Sequence, residues 1–245
     1  MHSESPPAGR SSDLPAVCIL AGGLGTRLGK RSAQVPKPLI EVAGRPFLAH
    51  QLDLLSSKGI TRAVLCVGYL GELIEQTMGT THAGIELTYS YDEPGLDGTL
   101  GAIRRAAPLL GERFLVLYGD TYLRIDYRDV VLDWAKSGDP ALMTVLHNKG
   151  EWDTSNAIFS GGKIVAYDKF LLDPEMEWID YGLGGLTPPV LDLVPPEERD
   201  LAALQSVLAQ RGMLHGYEAT ERFFEIGTAE ALEETDRYLT ALEAR

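Results

Sequence analysis

The sequence predicts an α/β fold: a single three-layer domain on a mixed, mostly parallel central sheet. Three observations carry this. The runs Ala16 to Leu20, Ala63 to Val67 and Phe114 to Tyr118 are continuously apolar and of strand length, as strands covered on both faces require. Between them lie segments whose apolar residues return at helical spacing. The first strand runs directly into a glycine-rich loop, at the edge where open α/β sheets bind ligands.

Element by element, residues 1–13 are polar, rich in Ser and Pro, and read as a disordered tail. Order is expected from Leu14. After the first strand, Phe47, Leu48, Gln51, Leu52, Leu54 and Leu55 mark one helix, and Leu70, Leu73, Ile74, Thr77 and Met78 another, with the strand from Ala63 between them. A strand over Ile85 to Tyr91 and a helix over about Thr99 to Leu110 complete a third unit that leads to the Phe114 strand. Such crossovers are right-handed.

Beyond Asp120 the pattern changes. A helix is predicted near Tyr127 to Ser137, a strand at Ala141 to His147, and two short strands at Ala157 to Ser160 and Lys163 to Tyr167 around a Gly161-Gly162 hairpin turn. Helices return at about Leu201 to Arg211 and Thr228 to Leu242.

Composition bounds the function. The 245 residues are 44% apolar and 23% charged, as in ordinary globular chains. No run of about 18 apolar residues and no apolar leader segment is present, so neither membrane span nor signal peptide is expected, and the expected compartment is the cytoplasm. Cys18 and Cys66 each sit inside an apolar run and read as reduced core thiols. With 22 Lys plus Arg against 35 Asp plus Glu the net charge is −13, which argues against nucleic acid or an anionic membrane as partner. From Leu14 to Ile40, however, there is no acidic residue, while Arg27, Lys30, Arg31 and Lys37 are basic. A small anionic ligand is the expected occupant.

Ala21-Gly22-Gly23-Leu24-Gly25-Thr26-Arg27-Leu28 is the loop that would hold it. Glycines let the backbone approach phosphate oxygens and aim N–H groups at them. The dinucleotide motif G-x-G-x-x-G fails at Leu28, and the Walker A motif fails at Leu24 and Arg31. Val35-Pro36-Lys37-Pro38-Leu39 fixes a lysine on a stiff loop, suited to a phosphate contact. The histidines His2, His50, His82, His147 and His215 are scattered without metal-ligand spacing. No Ser or Cys nucleophile motif occurs.

In order and spacing, the glycine loop, Pro36-Lys37-Pro38-Leu39 and Gly44-Arg45-Pro46-Phe47 resemble the sugar-1-phosphate nucleotidyltransferase family. The resemblance implies a Rossmann-like nucleotidyltransferase domain over 14–245, with a nucleotide-binding part over about 14–125, a sugar-phosphate-binding part over about 126–227 and a closing helix over 228–243. Many relatives add a C-terminal β-helix for acyl transfer; here the sequence ends after the closing helix, and no such activity is expected.

The implied reaction joins a nucleoside triphosphate to a sugar 1-phosphate and expels pyrophosphate. Bringing two polyanions together demands Mg²⁺ and basic residues, and an ionised sugar phosphate needs no general base. The implied catalytic residues are Arg27, Lys37, Asp120 and Glu225, with Asp120 and Glu225 as Mg²⁺ ligands. Glu225 stands where the family usually has aspartate; it keeps the charge with a longer reach. Ala21, Gly22, Gly23, Gly25 and Thr26 would wrap the triphosphate, and Glu93, Gly98 and Thr99 would border the base. A carboxylate at Glu93 suits the N1–H and N2–H of guanine, hence GTP. Relatives often read Glu-Pro-Leu-Gly-Thr-Gly-Gly here, whereas this chain has Gly95 and Asp97 in a longer turn.

Asn156, Asp168, Lys169, Asp180 and Gly182 are the implied sugar-phosphate residues, in segments similar to heptose 1-phosphate guanylyltransferases. That subgroup implies a manno-configured heptose. Other readings stay open: a silent nucleotide-sugar sensor, given Glu225, and a uridylyl- or cytidylyltransferase for another sugar 1-phosphate or for a phosphorylated alcohol, the latter with Trp152, Trp178 and Tyr181 as an aromatic cage. A homo-oligomer is compatible with the sequence, which does not specify one.

Overall fold

The computed structural model describes residues 14–23, 35–92, 98–152, 154–171 and 173–244. In chain order the elements are β1 (Val17–Leu20), β2 (Glu41–Val42), β3 (Arg45–Pro46), α1 (Phe47–Ser57), β4 (Arg62–Val67), α2 (Gly71–Met78), β5 (Thr81–His82), β6 (Ile85–Tyr91), α3 (Gly98–Leu110), β7 (Phe114–Tyr118) and β8 (Thr121–Tyr122). They continue as α4 (Tyr127–Ser137), β9 (Ala141–His147), β10 (Ala157–Ser160), β11 (Lys163–Tyr167), β12 (Trp178–Leu186), α5 (Leu201–Gln210), β13 (Leu214–Ala219), β14 (Phe224–Glu225) and α6 (Ala229–Glu243).

Ten strands form one sheet in the order β10-β11-β13-β9-β12-β7-β1-β4-β6-β5. The first-half strands β7, β1 and β4 run parallel, as their continuous apolar runs predict, and β6 joins them parallel to β4. Past β7 the pairing turns mostly antiparallel, through β12 against both β7 and β9, with β13 parallel to β9. Side chains alternate across the strands. Val17 and Ile19 join the layer with α1, α2 and α4, while Cys18 joins the layer with α3 and α5. The sulfurs of Cys18 and Cys66 lie 3.4 Å apart, buried and free, and this mutual contact together with burial pushes the Cys18 thiol up.

Local chemistry sets the element ends. Asp126 caps α4 by accepting from the N–H groups of Arg128 and Asp129, and Gly138 closes that helix in the left-handed region. Gly161 and Gly162, at φ +59° and +75°, make the tight β10–β11 turn. The nine-residue strand β12 was not legible in the sequence. Its register shifts between Asp180 and Gly184, and Gly182 sits at φ +100°. At Gly185 a Cβ would lie 2.6 Å from the buried Trp134 ring. Helix α6 packs Leu232 and Leu239 on Phe47, Tyr122 and Phe224 in a third apolar cluster. Among the described residues no helix is long and apolar enough to cross a membrane.

Candidate active site

Parallel pairing puts the carboxyl ends of β1, β4, β6 and β7 on one edge, so the residues that follow them meet there. A cavity of about 420 Å³ opens at this edge, walled by Ala21, Gly22 and Gly23 after β1, by Lys37, and by Gly119 and Asp120 after β7. The start of α3, Gly98 and Thr99, closes it, with Leu20, Cys66 and Ala102 as apolar floor.

The close approach of strand ends dictates several glycines. A Cβ on Gly119 would lie 2.8 Å from the Leu20 carbonyl oxygen, so only glycine lets Asp120 turn in beside β1. Gly98, at φ +61°, would meet the Arg199 oxygen at 2.5 Å, the same oxygen that accepts the Leu100 N–H. Thr99 lines the cavity at the helix start, and its hydroxyl accepts from the Leu201 N–H at α5.

Asp120 pairs with Lys37, and both are partly buried. Gln51, a buried residue of α1, donates to the carbonyls of Tyr118 at 2.9 Å and Thr121 at 2.7 Å, and so holds the turn that carries Asp120. Glu225 reaches the same place by a two-residue antiparallel pair, β8 with β14, in which Glu225 faces Thr121 and the Ile226 N–H donates to the Asp120 carbonyl at 3.0 Å. Its Oε2 accepts from the Gly227 N–H at 2.9 Å. A Cβ on Gly227 would stand 3.5 Å from Lys37 Nζ, so the ammonium and both carboxylates share one corner.

These donors fit Mg²⁺. The ion is commonly held by one or two carboxylates together with substrate phosphates and water, and Asp120 and Glu225 are such a pair. Of the other expected nucleotide residues, Gly25, Thr26, Arg27 and Glu93 lie outside the described residues.

The expected sugar-phosphate residues gather around the β12 bulge. Asn156 Oδ1 accepts from the Asp180 N–H at 2.9 Å, and Asp180 Oδ1 accepts from the Gly182 N–H at 2.9 Å. Burial pushes the Asp180 carboxyl up to about 6, against the pull of the Gly182 N–H, Gln205 and Lys169. Burial beside Asp180 also raises the Tyr118 and Tyr167 phenols. Lys169 stands 3.6 Å from Asp200, which caps α5. Asp168 is turned to its own loop: the N–H groups of Phe170 and Leu171 donate to it and hold its carboxyl low.

Sequence reasoning missed Gln51, Asp92, Tyr118, Asp200 and Gln205. Asp92 carried a readable signal, since it follows the expected strand Ile85 to Tyr91 directly, as Asp120 nearly does the Phe114 strand. Gln51 carried none, being one polar residue on a buried helix face. The aromatic cage is corrected: Trp178 packs with the α3 and α5 layer, and Tyr181 and Trp152 with the layer across the sheet, so the three do not surround one cation. The described histidines serve the scaffold, as His82 with Asp53 and His215 with Asp133 illustrate.

The chain is similar to several known proteins. The D-glycero-alpha-D-manno-heptose 1-phosphate guanylyltransferase of Aneurinibacillus thermoaerophilus is 37% identical over 111 residues, covering 45% of this chain and 48% of that protein. The Xenopus laevis mannose-1-phosphate guanyltransferase beta-B is 29% identical over 220 residues, covering 85% of this chain and 60% of that one. The chain thus spans about half to three fifths of these relatives. The crystal structure of HddC from Yersinia pseudotuberculosis superposes with a TM-score of 0.77 at 23% identity, over 92% of this chain and 100% of that one, and shares the fold. Residues 16–155 match the model of the nucleotidyl transferase family, and the chain belongs to that family.

Proposed function

We propose that the protein transfers a nucleoside monophosphate from a nucleoside triphosphate to a sugar 1-phosphate and releases pyrophosphate, with GTP and a manno-configured heptose 1-phosphate as its pair. The observation that carries this is the corner where Lys37, Asp120 and Glu225 meet beside the glycine loop. In the reaction a phosphate oxygen of the sugar 1-phosphate attacks the α-phosphorus, a P–O bond forms, and the bond to the β-phosphate bridging oxygen breaks. The sugar phosphate enters already ionised, so the protein's task is alignment and charge neutralisation. Lys37 offsets phosphate charge from its stiff loop, and the backbone of Gly22 and Gly23 approaches the triphosphate. Bound at Asp120 and Glu225, Mg²⁺ would supply further neutralisation of the triphosphate. Asp180, Asn156 and Lys169, gathered near the β12 bulge, are of the polar types that suit sugar hydroxyls and phosphate. The names of the relatives support guanylyl transfer and the manno configuration.

The test is pyrophosphate release with Mg²⁺ across GTP, ATP, UTP, CTP and dTTP, each against manno-heptose, mannose, glucose and N-acetylglucosamine 1-phosphates. Release with GTP and the manno-heptose phosphate is expected. No release with any pair, together with tight binding of a finished nucleotide sugar, would replace this reading with that of a sensor.

A further inference from the structure

Strand β14 has little of its own to hold Glu225 in place. It is two residues long and pairs with the equally short β8, and a ladder of that size is marginal unless other elements pack behind it. Helix α6 supplies that backing. Side chains alternate across a strand, so Glu225 faces the Lys37 and Asp120 corner while Phe224 turns the other way, into the apolar cluster under α6. Tyr238 stacks on the Phe224 ring, with 3.8 Å between centroids and 17° between planes. The Thr235 hydroxyl donates to the Glu225 carbonyl at 2.7 Å.

Arg222, three residues before Glu225, makes the third connection. Its guanidinium donates to both oxygens of Glu234 in α6, at 2.7 and 2.9 Å, and this fork holds the Glu234 carboxyl below the usual range. The guanidinium carbon also lies 4.4 Å from the centroid of the Phe224 ring and 4.4 Å from that of Trp152. Trp152 is itself fixed, since its N–H donates to the side chain of the buried Asn148 at 3.1 Å. Contacts therefore run from Trp152 through Arg222 and Phe224 to Tyr238, and join the β9–β10 connection to α6 behind the strand that carries Glu225. Among the described residues, Arg222 is not one of those that wall the cavity. A lysine would keep its charge and lose both the fork and the flat face.

We propose that Arg222 is a positioning residue: by clamping β14 to α6 and to Trp152, it fixes where the Glu225 carboxylate stands. This rests on the reading that Glu225 serves the metal corner. With the clamp loosened, β14 opens more often and Glu225 spends less time beside Asp120. Metal affinity falls, while groups on the sugar side keep their places.

The experiment compares the wild-type protein with Arg222→Lys and with a control, Arg113→Lys. The Arg113 guanidinium lies 4.2 Å from the centroid of the buried Trp134 ring, just before β7 and at the other end of that strand from Asp120, so the control loses a similar contact away from the corner. Amide hydrogen exchange reads the opening of β14 at the Ile226 and Gly227 N–H groups, which donate to the Asp120 carbonyl and to Glu225 Oε2. Pyrophosphate release from GTP and manno-heptose 1-phosphate reads the Mg²⁺ concentration that gives half of full activity. Arg222→Lys is expected to speed exchange at both amides about tenfold and to raise the Mg²⁺ requirement by a similar factor. The KM for sugar phosphate should stay unchanged, and wild-type kcat should return at high Mg²⁺. Glu234→Gln, which opens the fork from its other side, should move the same two readouts, and it carries the test if Arg222→Lys does not fold by its melting curve. Wild-type exchange and Mg²⁺ requirement in the Arg222 variant overturn the proposal. Equal shifts in Arg113→Lys, or faster exchange with an unchanged Mg²⁺ requirement, overturn it as well, leaving Arg222 a stability residue. A wild type that releases no pyrophosphate removes the proposed reaction instead, and exchange at Ile226 and Gly227 then decides the clamp by itself.

Discussion

Lys37 and Asp120, 83 residues apart in sequence, meet as an ion pair at the mouth of the cavity, and the Gly227 backbone lies close enough that a Cβ there would be 3.5 Å from the Lys37 ammonium. The pair joins a proline-flanked 3₁₀ turn over Lys37–Leu39, where the sequence suggests an extended loop, to the end of β7. In a site built for two polyanions, each partner limits the charge the other leaves exposed. Asp120→Asn preserves the shape of the turn, so pyrophosphate release should fall at least about 100-fold with the melting temperature nearly unchanged. Lys37→Met should weaken Mg-nucleotide binding as well, read by titration calorimetry. Wild-type turnover in Asp120→Asn would remove the metal role from this residue.

Gly227→Ala tests Glu225 without touching it. The added Cβ would fall 2.3 Å from Glu225 Oε2, so the carboxylate must move away from the Gly227 N–H it now accepts from. Turnover should drop about tenfold or more, while Glu225→Asp stays active. If Gly227→Ala and Glu225→Ala both behave as wild type in pyrophosphate release, Glu225 is not part of the catalytic corner.

Gln51→Leu separates positioning from contact. The variant leaves the Tyr118 and Thr121 carbonyls without the donors that now bracket Asp120. A cost of about 1–3 kcal/mol in urea unfolding is expected, since the Thr121 carbonyl loses the Gln51 donor and the Tyr118 carbonyl keeps the Thr121 hydroxyl in its place. The distinguishing readout is kinetic: kcat should fall with the KM for sugar phosphate little changed, since the residue acts through Asp120. Equal activity at full occupancy would make Gln51 a stability residue alone.

Asp180 predicts a pH dependence of stability. Burial raises its folded-state value to about 6, above the ordinary 3.8 of the unfolded chain. The folded protein thus keeps a proton that the unfolded chain releases first. The resulting contribution is full below about pH 4 and is lost as pH rises through 6, on the order of 1–3 kcal/mol across that window. Asp180→Asn should flatten this slope between pH 4 and 7 in denaturant unfolding. A slope identical to wild type would show that Asp180 ionises freely in the fold.

The alternation of apolar runs with helical faces put β1, β4, β6, β7 and the helices between them on the right segments, because burial on two faces and burial on one stripe leave different periodicities. Asp120 was legible for a related reason: a carboxylate just past a buried strand must lie at the sheet edge. The bulged strand β12 left no such trace. Gly182, Gly184 and Gly185 interrupt any alternation, and Gly185 is there for the Trp134 ring that rests against it.

What could be read along the chain was therefore local: the layered class, the glycine loop and Lys37 beside it, and the acid at the end of β7. Long-range pairing supplied the rest. Glu225 comes to Asp120 through two residues of β14 against β8, Gln51 reaches that turn from another helix, and Asp92 finds its seat between Gly22 and Gly68. Periodicity reports which face of an element is buried. It does not report which distant element covers that face, and packing around a shared core makes that choice.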